Sequence, residues 1–108
     1  MQRADLSEVD LYDADLSHTN LKEANFERSR LGQSYLIGAD VSNANFERAD
    51  LRHVNLDGIQ NYKQIASLYK ANVYGIESPP EGFSEWTIDE MEAVSISDDN
   101  EWRTARLS

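Results

Sequence analysis

From Leu6 to Leu56 a bulky apolar residue stands at every fifth position: Leu6, Leu11, Leu16, Leu21, Phe26, Leu31, Leu36, Val41, Phe46, Leu51 and Leu56. Two residues before each is a small or short side chain, from Ala4, Val9 and Ala14 to Ala44, Ala49 and Val54. The residue between them is mostly Asp or Asn. A period of five matches neither the helical repeat of about 3.6 nor the strand repeat of about 2. Asp or Asn recurring this often also makes poor helix. A five-residue unit is too small to bury its own apolar face, but stacked coils of such units share a continuous core, so the pattern predicts a solenoid.

Eleven consecutive units follow A-[D/N]-[L/F]-x-x, with Ser29-Arg30-Leu31 and Ser34-Tyr35-Leu36 departing at the middle position. This pattern resembles the pentapeptide-repeat family. The resemblance implies a right-handed quadrilateral β-helix, an all-β solenoid in which four units make one square coil. The large residue and the small residue two before it then point inward, and the other three face solvent.

A square coil repeats every twenty residues, and Ala24-Asn25-Phe26-Glu27-Arg28 recurs as Ala44-Asn45-Phe46-Glu47-Arg48. The interior therefore reads in columns: Leu6, Phe26 and Phe46; Leu11, Leu31 and Leu51; Leu16, Leu36 and Leu56; Leu21 and Val41. Such an interior is filled by side chains. Nearly three coils at roughly 4.8 Å spacing make a short prism, which depends on its ends. Residues 1–58 are assigned to the β-helix, 59–76 to a short helix and a final capping coil segment, and 77–108 to an aromatic-rich cap, mainly helical.

Within 59–76, Asn61 with Gln64 three residues on predicts a helix over 62–70, with Ile65, Leu68 and Tyr69 as its apolar stripe. Ala71-Asn72-Val73 reads as one more unit, out of register with the first series. In the last segment, Thr87 with Glu90 and Asp98 with Glu101 are capping-box patterns. They predict a helix continuing through Ile88 and Met91 to Ala93 and a terminal helix with Trp102, Ala105 and Leu107 available for packing, while Val94 and Ile96 alternating with serines predict a weak strand. Phe83, Trp86 and Trp102 are assigned to cap packing rather than to a ligand.

The formal net charge is -10, with 20 acidic and 10 basic residues. The acids are spread over both halves of the chain. That balance argues against direct nucleic-acid binding and permits docking on a basic protein surface. No apolar stretch could span a membrane, so a cytoplasmic location is expected. Cysteine is absent. His18 and His53 fall on adjacent walls nearly two coils apart and cannot readily share a metal. Asp5, Asp10, Asp15, Asp40 and Asp50 simply occupy the polar position of the repeat. No catalytic motif or cofactor signature is present, and the expected role is a non-enzymatic protein-interaction or scaffold module with an unidentified protein partner.

The candidate contact patch is on the third wall, where Tyr35 and Ile37 face outward between Asp15 and Asp57. The first coil has no sequence signal for a cap, so a homodimer through the N-terminal coil is expected. An alternative rests on the family resemblance: some pentapeptide-repeat proteins mimic duplex DNA and bind a topoisomerase such as gyrase, and the charge suits such mimicry.

Overall fold

The computed structural model describes residues 2–107. The chain winds as a β-helix solenoid held by four columns of parallel β-bridges. The first wall pairs Asp5, Asn25, Asn45 and Ser67 in succession, and the second pairs Asp10, Arg30, Asp50, Asn72 and Val94. The third pairs Asp15, Tyr35, Asn55 and Glu77, and the fourth pairs Asn20, Asp40 and Gln60. All are single-residue bridges rather than continuous strands. A corner every fifth residue leaves no room for a longer ladder.

Each wall is nonetheless fully bonded to the next rung. Leu6 N–H donates to the Asn25 carbonyl at 2.7 Å, Asn25 N–H to Ala4 at 2.8 Å, and Glu8 N–H to Glu27 at 2.9 Å. The corner is a turn closed by a bond such as Ala14 N–H to the Leu11 carbonyl, 3.0 Å. Its third residue is left-handed, as in a type II turn. Ten non-glycine residues from Arg3 to His53 take that conformation, each with φ near 60°. L-residues resist it, and the bonds between rungs hold them there.

The sequence explains the Asp or Asn at the middle position. In unit after unit its Oδ1 accepts from the backbone N–H two residues on, as from Ser17 to Asp15 (3.0 Å), Glu27 to Asn25 (3.0 Å) and Asp57 to Asn55 (2.9 Å). This is an Asx-type turn that starts each corner. These residues do not simply face solvent: Asp50 and Asn72 are buried.

The core runs up the lumen. Leu21, Phe26, Leu31, Leu36, Val41, Phe46, Leu51 and Leu56 are all buried, beside Ala24, Ala39, Ala44, Ala49 and Val54. Phe26 and Phe46 stack with ring centroids 5.0 Å apart and planes 1° apart. Leu16 is also buried, whereas Leu6 and Leu11, on the first rung, are only partly so. The void among Leu36, Phe46, Leu56, Ile65 and Phe83 is about 10 Å³. That is at the lower limit for one water, so the lumen is packed.

The segment after Gln60 departs from expectation. The helix predicted over 62–70 is absent; only a 3-10 turn, Tyr62–Gln64, forms. Asn61 is left-handed and makes no side-chain cap, its amide bonding Asp40 instead at 3.0 Å. The bridge spacing rises from 20 at Asp40–Gln60 to 22 at Asn45–Ser67, so the coil continues with two extra residues at one corner. Ile65 and Leu68 point into the core, while Tyr69 faces outward with Arg48 5.5 Å and Lys70 5.4 Å from its ring centre. The repeat persists because Ala71, Asn72 and Val73 supply another buried unit.

The final segment is less helical than expected. Helix α1 spans Phe83–Asp89 and α2 spans Asp99–Ala105. Helix α1 begins after Gly82, not at the Thr87 box; Thr87 lies buried inside it, its Oγ1 donating to the Ser84 carbonyl at 2.8 Å. It ends before Met91 because the chain turns back to the second wall, where Val94 bridges Asn72. At α2 the Asp98 side chain does accept from Glu101 N–H, at 2.9 Å. The aromatic residues serve two places rather than one. Phe83 and Trp86 pack with Tyr62, each ring 5.6 Å from it, over the end of the lumen. Trp102 is the buried residue of α2, apart from that core. Leu107 is 87% exposed and packs against nothing substantial. No helix among the described residues is long and apolar enough to cross a membrane.

Candidate interaction surfaces

With the lumen filled, the outer walls and the cap offer the surfaces. On the third wall Tyr35 bridges Asp15 on one side and Asn55 on the other. It is 41% exposed, while Ile37 is half-buried. Gly38 N–H bonds the Asp57 carbonyl at 2.9 Å, which sets Asp57 beside Ile37 in the next rung. Four predicted surface residues therefore share one face. Hydrogen bonds from the Ser17 side chain and then its backbone N–H hold Asp15 below the usual carboxylate range, and Ser7 does the same for Asp5.

This wall carries Asp15, Asp57 and Glu77 but no lysine or arginine. Its upper edge opens into a recess of about 310 Å³ between Asp57, Gly58 and Ile59 on one side and Tyr62, Pro79 and Pro80 on the other. The sequence offered one signal for this recess: the Pro79-Pro80 pair, which forces a loop beside the last rung.

The second wall is of opposite character. Arg52 grips Asp50, with Nε to Oδ1 at 2.9 Å and Nη2 to Oδ2 at 2.8 Å. The same Nη2 reaches Asp99 on α2 at 3.2 Å, and Asp99 also pairs with Arg103 at 2.8 Å. The bond from Arg52 holds Asp99 below the ordinary carboxylate range, and Asp50 raises Arg52 in turn. On the fourth wall the Asn61 amide, ahead of the Ser42 bonds and Lys22, holds Asp40 below the ordinary carboxylate range.

His18 and His53 stand on the third and second walls, both exposed. Each ring lies across a glycine of the next rung: a Cβ on Gly38 would sit 2.6 Å from His18 Nδ1, and one on Gly75 2.5 Å from His53 Nδ1. Among the described residues no cluster of His, Cys, Asp or Glu could hold a metal ion.

Eight copies of the family described as pentapeptide repeats match the chain, over residues 1–36 and 29–60. The chain belongs to the pentapeptide-repeat family. Among solved structures it is similar to HetL, a pentapeptide repeat protein involved in heterocyst differentiation regulation in the cyanobacterium Nostoc, at 35% identity and a TM-score of 0.32. That match takes in 68% of this chain and 38% of HetL, so the chain spans well under half of HetL's length. It is also similar to a pentapeptide repeat protein from the Arabidopsis thaliana thylakoid lumen, at 22% identity and a TM-score of 0.42, over 96% of this chain and 84% of that one. No curated protein matches the sequence.

Proposed function

We propose that this pentapeptide-repeat chain is a non-enzymatic protein-interaction module whose third wall docks a basic protein surface. The observation that carries this reading is the wall itself: Tyr35 stands exposed on a face that carries Asp15, Asp57 and Glu77 and no lysine or arginine. Coils stacked from Asp5 to Glu77 form a rigid platform, and a rigid surface loses little conformational freedom on binding. Tyrosine supplies apolar area with a polar tip, and the carboxylates around it favour encounter with lysine- or arginine-rich surfaces. The recess beside Asp57 gives a partner side chain somewhere to insert.

The reading is tested by affinity capture with Tyr35→Arg and Ile37→Arg variants, using Glu8→Arg on the first wall as the control. Loss of captured partners with the first two alone supports it; the same partners on all three reject this wall. The duplex-mimic alternative gains no support, since extents of 32 × 28 × 22 Å do not make a rod.

A further inference from the structure

We propose that the recess between the second wall and α2 binds an oxyanion group, phosphate or carboxylate. It lies on a different wall from Tyr35 and does not rest on the reading given above.

Four of the chain's seven arginines, Arg30, Arg52, Arg103 and Arg106, line this one recess of about 290 Å³. Two carboxylates join them, Asp50 and Asp99. Both are already committed. The two Asp50 oxygens accept from Arg52, and the two Asp99 oxygens accept from Arg52 and Arg103. Their effect is to fix Arg52 and Arg103 in place, with further N–H groups of each guanidinium left over.

The other two arginines are less tied. Arg30 reaches Asp10 at 3.1 Å, but both side chains are more than half exposed, and such a pair holds weakly. Arg106 makes no ion pair or side-chain hydrogen bond among the described residues. Trp102, also in the lining, is 2% exposed, and its indole N–H has no acceptor among the described residues. The hydrogen-bonding capacity left in the recess is thus dominated by donors. Its lining is net positive on a chain of net charge -10. Solubility alone would not gather cations there. Planar guanidiniums around a cavity of this size suit a ligand with several acceptor oxygens and negative charge.

The test is calorimetric titration of the full chain with sodium pyrophosphate and, separately, with a tetra-aspartate peptide. Saturable binding is expected, weakened about tenfold or more by Arg106→Glu as one charge-assisted contact becomes repulsion. Arg30→Glu should weaken it similarly, and Arg28→Glu on the first wall should leave it unchanged. Unaltered melting midpoints in the variants keep the comparison fair. Pyrophosphate binding alone assigns the recess to phosphate groups; binding of the peptide as well assigns it to acidic side chains. No saturable binding of either ligand up to about 5 mM, a Kd weaker than millimolar, overturns the proposal. So does binding that Arg106→Glu and Arg30→Glu together leave untouched.

Discussion

Asn72 treats Ile96 as though its side chain were a strand: its Nδ2 donates to the Ile96 carbonyl at 2.9 Å, and its Oδ1 accepts from the Ile96 N–H at 3.0 Å. The same Oδ1 also takes the Tyr74 N–H, at 3.2 Å. A fully buried asparagine is tolerable only when so completely bonded. It ties the returning 93–97 segment to the second wall. Asn72→Ala should therefore cost about 2–4 kcal/mol, because it strands several partly buried backbone groups. Urea unfolding checks the magnitude, and loss of hydrogen-exchange protection at Ile96 checks the cause.

Leu36 and Ile37 are neighbours in sequence that meet opposite environments, one buried in the lumen and the other on the outer wall. Leu36→Asp would bury an unpaired carboxylate and should cost about 3–5 kcal/mol or prevent folding. Ile37→Asp should cost about 1 kcal/mol or less, as a surface change. Thermal melts of the two variants side by side decide the matter; equal losses would contradict the inward column.

Gly38 and Gly58 share a φ of 67°, so alanine meets the same backbone strain at both. They differ in what the preceding rung places against them. At Gly58 an added Cβ has only Gly38 backbone nearby, at 3.8 Å, whereas at Gly38 it meets the His18 ring at 2.6 Å. Gly38→Ala should lower the melting midpoint further than Gly58→Ala, by the equivalent of about 1 kcal/mol. Adding His18→Ala should bring the two into line.

Acid should loosen the fold in a defined window. Asp5, Asp15, Asp40 and Asp99 are all held below their ordinary value in the native state. Between those lowered values and the ordinary carboxylate range near about 3.9, the unfolded chain binds more protons than the native one. The stability these groups confer is therefore complete above that range and lost as pH falls through their native values. Urea midpoints measured from neutral pH down to about 3 should fall, following this linkage. Asp99→Asn, which removes the attraction to Arg52 and Arg103, should flatten the slope.

The solenoid could be read from spacing alone because an interior position recurs every fifth residue; its four-sided β-helical form came from the resemblance to pentapeptide repeats, with Phe26 and Phe46 marking the twenty-residue return. The same arithmetic put Asp15, Tyr35 and Asn55 in one column. It failed after Gln60 for a physical reason. Ile65, Leu68 and Ala71 all point inward and are three residues apart. An amphipathic helix gives that spacing, but so does a coil turning its corner, where the large residue of one unit precedes the small residue of the next by three. The Arg52 cluster was illegible for a different reason. Asp99 is 47 residues away, and only the path of the returning 93–97 segment brings α2 against the second wall.

The corner at every fifth residue has one more consequence. Fibril-forming cross-β zippers need straight segments of about six or seven residues that can stack against copies of themselves. Between residues 2 and 60 this backbone bends before any such length is reached. While the coils stay wound, the chain is rich in β-pairing yet offers amyloid growth no template along its walls.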